Sequence, residues 1–139
     1  MQDRAFDRFA QRRADAARAA DRLTEAVERC SHDPDPMLRD AAIQRFEFTF
    51  EAVWKAAKAY LEHLGLTADT PRQTIRAFLS AGLAADADEI EAWFGMLDDR
   101  NLTSRTYIEP VAQRIYDRIA GEHACRLAAM ARALTQVTW

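Results

Sequence analysis

Apolar residues recur at intervals of three and four along almost the whole chain, which is the period of an amphipathic α-helix. Five segments carry this period, at approximately residues 3–31, 37–64, 71–81, 87–104 and 110–136. No segment alternates between apolar and polar residues in the way that a half-buried strand would. The pattern therefore predicts an all-α protein. The second segment shows the period most clearly, in Ile43, Phe46, Phe50, Val53, Ala57, Leu61 and Leu64.

Glycine and proline lie where these segments should begin and end. Gly65 and Gly82 each follow an apolar helical run, as residues that terminate helices do. Thr70 precedes Pro71, which is typical of an N-cap followed by the first helical residue. We therefore predict an up-and-down four-helix bundle with one extra short helix, forming a single domain over residues 1–139.

Composition and charge restrict the classes of protein to consider. The chain has 139 residues, 49% of them hydrophobic and 29% charged, so it can bury a core. The formal net charge of −3 argues against non-specific coating of nucleic acid, and we expect no DNA partner. No apolar run approaches about 18 residues, so we expect no membrane partner and a cytoplasmic location. Cys30 and Cys125 lack metal or redox spacing and are expected to be reduced thiols.

The fourth segment departs from the helical pattern near its end. Its apolar face, which contains Trp93 and Leu97, continues by helical spacing to Arg100, Asn101 and Ser104. Polar groups are therefore predicted to point toward a core, a cleft or a partner. Burying a charge is costly unless the charge is paired.

Two interpretations of this departure are open. In the first, the tip of the helix leaves the core, and Arg100 pairs with Asp98, Asp99 or Glu109. In the second, the polar residues form a recessed site near one end of the bundle, with Tyr107 beside it.

Three groups of residues carry a resemblance to a known family. They are RFEFTFEAVWK at 45–55, TPRQTIR at 70–76, and WFGMLDDRNLTSRTY at 93–107. Together they resemble the nucleotidyltransferase substrate-binding protein family of the HEPN superfamily, whose members are helical bundles. The resemblance covers approximately residues 41–120 and includes the order of the helices.

The resemblance implies a partner and a class of activity. Proteins of this family are encoded beside a minimal nucleotidyltransferase and act with it. Many are toxins of a toxin–antitoxin pair, are ribonucleases that need no metal or cofactor, and associate as homodimers or higher oligomers. We therefore expect the partners to be a minimal nucleotidyltransferase antitoxin, RNA and further copies of this chain. Phe48 falls off the apolar stripe of its helix and is a candidate for such a self-association surface.

The family signature is arginine, four residues, histidine, one residue, tyrosine. In this chain the frame contains Arg100, Arg105 and Tyr107, so arginine stands where the family has histidine. By position, Tyr107 would accept adenylyl groups from the partner nucleotidyltransferase, a modification that silences toxins of the family. The candidate catalytic residues are completed by Asp98, Asn101 and Ser104, which would orient or extend the site.

The arginine at position 105 changes the chemistry that the site can perform. Arginine stays protonated, with a pKa above about 12, and cannot act as a base. We therefore predict RNA or nucleotide binding with weak or absent cleavage, and whether Arg105 is natural or introduced stays open. The alternatives are a non-catalytic substrate- or nucleotide-binding subunit of a nucleotidyltransferase and a purely structural interaction bundle. Arg72 and Arg76 lie in a matched segment and are candidates for contact with RNA, nucleotide or partner.

Overall fold

The computed structural model describes residues 3–139, and within that range the secondary structure is entirely helical, as predicted. A 3₁₀ turn, Thr103–Arg105, follows the fourth helix, and a π-helical turn, Ile119–His123, joins the last two without a break. The fold is an all-α bundle of long helices with one short extra helix. The helices are α1 Arg4–His32, α2 Pro36–His63, α3 Pro71–Ala77, α4 Ala87–Leu102, α5 Glu109–Arg118 and α6 Ala124–Gln136.

Contacts between side chains and backbone show that α1 and α2 are antiparallel. The Thr49 hydroxyl donates to the carbonyl of Ala19 at 3.0 Å, and Arg45 donates to the carbonyl of Arg22 at 2.8 Å. Arg12 donates to the carbonyl of Lys55 at 3.4 Å, at the opposite end of the pair. Residue numbers therefore increase along α1 as they decrease along α2, which is the antiparallel arrangement.

The predicted helix boundaries are confirmed at Gly65 and at Thr70–Pro71, whereas the helix end predicted at Gly82 is not, because α3 ends at Ala77. The Thr70 hydroxyl accepts from the backbone N–H of Gln73 at 3.2 Å, and Pro71 occupies the first turn of α3. Gly65 and Gly82 have φ of +82° and +75°, a conformation that L-residues with a side chain rarely adopt. The helix α3 is shorter than predicted, because after Ala77 the chain turns back on itself. The backbone N–H groups of residues 83 and 84 both bond to the carbonyl of residue 78.

The core is built from the predicted apolar faces. Phe46 and Phe50 of α2 are fully buried, and they belong to one core cluster with buried residues of α1, α3 and α4. One member of the α2 stripe, Leu64, is 45% exposed, because α2 ends at His63 and the chain turns at Gly65. The largest fully buried side chains are Trp93, Phe9, Phe46, Phe50, Phe78, Leu23, Leu61, Ile75, Met96, Ile115, Ile119 and Leu127.

The C-terminal residue closes the bundle against its own N-terminal helix. The Trp139 ring stacks on His63, with ring centroids 3.7 Å apart, and on Phe9 at 5.0 Å. Its Nε1 donates to the carboxylate of Asp3 at 3.1 Å, and this hydrogen bond is the main cause of the lowered pKa of Asp3. Trp139 therefore packs within its own chain.

Two further predictions concern thiols and membranes. Cys30 and Cys125 are both free thiols, the first buried and the second exposed. Within residues 3–139, no helix combines the length and the apolar character that crossing a bilayer requires.

Candidate functional site

The arginine that opens the signature frame is held by a carboxylate from another helix. Arg100 Nη2 donates to Glu51 Oε2 at 3.0 Å, and Trp54 Nε1 donates to the same oxygen at 2.9 Å. Lys55 Nζ lies 3.7 Å from Glu51 Oε1. The Arg100 side chain keeps 37% of its surface exposed, so its guanidinium can meet a ligand while Glu51 fixes its direction.

The Arg100–Glu51 pair differs from the pairs expected under the first interpretation, in which the tip of the fourth helix leaves the core. That interpretation expected Arg100 to bind Asp98, Asp99 or Glu109, and each of these has another position. Asp98 is exposed, Asp99 is buried with other partners, and Glu109 binds Arg39. The expectation was wrong because a partner 49 residues earlier in the chain cannot be recognised from spacing within α4.

Glu109 holds a buried arginine at the start of α5. Arg39 Nη1 and Nη2 donate to the two carboxylate oxygens of Glu109, at 2.9 and 3.1 Å, in the two-pronged geometry that arginine favours. Hydrogen bonding to Arg39 lowers the pKa of Glu109, and the same contact raises the pKa of Arg39. This ion pair joins the first turn of α2 to the first turn of α5, just after the signature frame.

A buried charge cluster lies directly behind Arg100. Asp99 is only 3% exposed. Its carboxylate accepts a hydrogen bond from Arg118 Nη1 at 2.7 Å and lies 2.7 Å from His123 Nε2. His123 is 1% exposed and stacks on Phe46, with ring centroids 5.5 Å apart. The π-helical turn Ile119–His123 presents this histidine to α4. His123 Nδ1 has no hydrogen-bond partner within residues 3–139.

The remaining residues of the frame lie on the surface. Asn101, Ser104 and Arg105 are exposed, and Tyr107 is 81% exposed. The predicted recess is therefore not observed, because α4 ends at Leu102 and the chain continues as the 3₁₀ turn Thr103–Arg105. No carboxylate within residues 3–139 comes within ion-pair distance of Arg105, which leaves its guanidinium open to an anion.

The two candidate arginines of α3 lie apart from these contacts. Arg72 is positioned over the ring of Phe94, with its guanidinium carbon 5.2 Å from the ring centroid. Arg76 is exposed. Within the described residues, neither arginine forms a hydrogen bond or ion pair with the signature residues. Arg100 therefore pairs with Glu51 of α2, and the α3 arginines take no part in that contact.

Comparisons with known proteins decide the family. Residues 11–136 match the family model described as nucleotidyltransferase substrate binding protein like. The chain belongs to this family. The match confirms the resemblance inferred from the sequence, including its placement in the HEPN superfamily.

Two relatives of this family member are informative. A protein named probable ribonuclease HepT, from Haemophilus influenzae, is 32% identical over 83 residues, which are 56% of this chain. The aligned part spans only 55% of that curated relative. The crystal structure of a protein from Thermus thermophilus superposes with a TM-score of 0.78 and 43% identity, over 87% of this chain and 99% of that one.

Proposed function

We propose that this family member is the HEPN toxin of a toxin–antitoxin pair with a minimal nucleotidyltransferase, and that its ribonuclease activity is weak or absent. The proposal rests on how the two arginines of the family signature, Arg100 and Arg105, are placed. Arg100 is fixed by Glu51 with part of its surface open, and Arg105 is exposed at the position of the family histidine, with no carboxylate of residues 3–139 within ion-pair distance. The ribonuclease name of the Haemophilus relative supports the class of chemistry.

The chemistry explains why this frame binds RNA better than it cuts it. In metal-free cleavage the 2′-oxygen attacks the neighbouring phosphorus, a base takes the proton of that hydroxyl, and an acid protonates the departing 5′-oxygen. Histidine can perform both proton transfers near neutral pH. Arginine cannot, and loss of a positioned acid–base group costs on the order of 10²–10⁴-fold in rate. Arg100 and Arg105 still supply cations for the phosphate.

The other residues of the site have subsidiary roles in this proposal. Asp98, Asn101 and Ser104, all exposed at the end of α4 or just after it, orient or extend the phosphate site. Tyr107 is the acceptor for adenylyl groups from the nucleotidyltransferase, and its exposure suits an enzyme-catalysed modification. Arg72 and Arg76 of α3 contact RNA, nucleotide or the partner. The protein acts as a single domain and as a homodimer or higher oligomer.

A ribonuclease assay in the presence of EDTA tests the proposal. It compares this chain, Arg105→His, and a double variant with Arg105→His and Arg100→Gln. We expect cleavage by Arg105→His, at least about 10²-fold less by this chain, and loss of cleavage in the double variant. If Arg105→His does not cut RNA, the ribonuclease proposal is wrong for this protein.

One observation favours a second function, a non-catalytic substrate- or nucleotide-binding subunit of a nucleotidyltransferase. Arg105 is an exposed permanent cation that forms no ion pair with the described residues, and such a group serves binding without proton transfer. Calorimetric titration with ATP, comparing this chain with Arg105→Gln, tests this alternative. Binding that needs Arg105, together with no cleavage by Arg105→His, would select it.

A further inference from the structure

An exposed aromatic residue lies beside a groove between α1 and α2. Phe48 keeps 59% of its surface exposed, although it belongs to a helix whose other phenylalanines are buried. It borders a shallow groove of about 230 Å³, which is also lined by Arg18, Arg22 and Arg45. Packing of the core does not explain a large exposed apolar ring beside a groove that three arginines help to line.

Further basic residues lie along the same pair of helices, outside the lining of the groove. Because α1 and α2 are antiparallel, Arg22 lies opposite Arg45 at one end, and Arg12 lies opposite Lys55 at the other. Arg45 and Lys55 are ten residues apart on α2, which corresponds to about 15 Å along the helix. Phe48 lies between them.

The acidic neighbours compensate these cations only in part. Arg18 pairs with Asp15, and Arg45 lies 3.9 Å from Glu25, a long contact at an exposed site. Within the described residues, no carboxylate comes within ion-pair distance of the Arg22 side chain. Exposed ion pairs of this kind contribute roughly 0–1 kcal/mol, so a phosphate can replace the carboxylate in such a contact.

The groove adjoins the signature arginine. Phe48 and Glu51 are three residues apart on α2, and residues with that spacing are neighbours on the surface of a helix. Glu51 in turn holds Arg100. Phe48 therefore lies between the arginines of the groove on one side and Arg100 on the other.

We propose that this face binds single-stranded RNA, with a base stacked on Phe48 and flanking phosphates on Arg22, Arg45 and Arg100. A π-face accepts any base, and the guanidinium groups follow the backbone, which is how proteins hold single strands with little sequence preference. The paired bases of a duplex are already stacked on each other and cannot cover the ring in this way. The choice of RNA over other polyanions rests on the proposed function.

Fluorescence anisotropy with a labelled single-stranded oligouridine, and with the same label on an RNA duplex, tests this binding. We expect Phe48→Ala to weaken binding of the single strand by about 5- to 100-fold, and Phe48→Trp to preserve it. Arg22→Gln should weaken binding and reduce its dependence on salt. Leu64→Ala removes a side chain of similar exposure at the far end of α2 and should leave binding unchanged.

Light scattering on the same variants separates RNA binding from contact between copies. If Phe48→Ala reduces the oligomer size and leaves binding of the single strand unchanged, the face is an interface between copies and the proposal is wrong. Equal affinities of Phe48→Ala and Leu64→Ala, or no binding of the single strand by the unaltered chain, overturn it as well.

The cleavage assay distinguishes this inference from the proposed function. If Arg105→His cuts RNA and Phe48→Ala changes neither binding nor cutting, the inference fails alone. If Arg105→His does not cut and binding still depends on Phe48, the proposed ribonuclease fails alone.

Discussion

Asp99 and His123 meet inside the bundle, with Asp99 Oδ2 2.7 Å from His123 Nε2 and both residues almost fully buried. The pair joins the last turn of α4 to the π-helical turn before α6. Arg118 Nη1 donates to the other oxygen of this carboxylate, Oδ1, at 2.7 Å. Since Asp99 precedes Arg100 directly, the buried cluster fixes the turn of helix from which the signature arginine projects.

Removing Asp99 should therefore destabilise the fold. We expect Asp99→Ala to lower the free energy of unfolding by about 1–3 kcal/mol, because it leaves the buried His123 without its hydrogen-bond partner. The neighbouring residue provides the control, since Asp98 is exposed and Asp98→Ala should change stability by less than about 0.5 kcal/mol. Unfolding in urea measures both values. Similar losses for the two variants would show that the buried cluster does not stabilise the protein.

The helices and most of the core could be predicted from the sequence because they depend on local information. The spacing of apolar residues on α2 fixes which face is buried, and the Thr70–Pro71 pair marks the start of α3 through a contact within one turn. The prediction for Leu64 was wrong because helical spacing does not show at which residue α2 itself leaves the core, and α2 ends at His63.

The contacts of the site could be predicted only in part. The signature frame selected Arg100, Arg105 and Tyr107 as candidates, but the pairing of Arg100 with Glu51 depends on how α2 and α4 pack. The Asp99–His123 pair joins residues 24 apart on different helices. Spacing gave no reason to select His123 over the other histidines, and Gly121 within the last helical segment was the only local sign of an irregular turn there.

Glu51 should reduce the affinity of Arg100 for phosphate while it fixes the direction of the side chain. We expect Glu51→Gln to strengthen binding of single-stranded RNA by up to about 5-fold, because a phosphate no longer competes with a carboxylate. In the Arg105→His background the same change should lower the cleavage rate, since Arg100 is less well oriented. Glu62→Gln removes the same charge at the far end of α2 and should have neither effect. Weaker binding by Glu51→Gln would contradict this role.

Acid should weaken the contact between Arg39 and Glu109. The pKa of Glu109 in the fold is below its ordinary value of 4.5, so the stabilisation is fully present above that pH. This stabilisation is lost progressively as the pH falls from 4.5 to below the lowered pKa of Glu109 in the folded state. Glu109→Gln should lower the melting temperature at about pH 7. Between about pH 5 and about pH 3, the melting temperature of Glu109→Gln should fall by less than that of the unaltered chain. Glu91→Gln, at an exposed position on α4, is the control. Parallel acid profiles for the unaltered chain and Glu109→Gln would contradict the assignment.

Tyr107 should be the tyrosine that a partner nucleotidyltransferase modifies. It is 81% exposed, whereas Tyr116 is partly buried, and burial is the main cause that raises the pKa of Tyr116 to about 12, so the Tyr116 hydroxyl is less accessible and harder to deprotonate. Incubation with the partner nucleotidyltransferase and ATP, followed by intact-mass spectrometry, should show added adenylyl groups. We expect Tyr107→Phe to abolish the addition and Tyr116→Phe to retain it. Because Ile108 and the Arg39–Glu109 pair hold the start of α5 immediately after Tyr107, the acceptor is presented at a fixed point of the surface. Unchanged modification of Tyr107→Phe would show that the acceptor lies elsewhere.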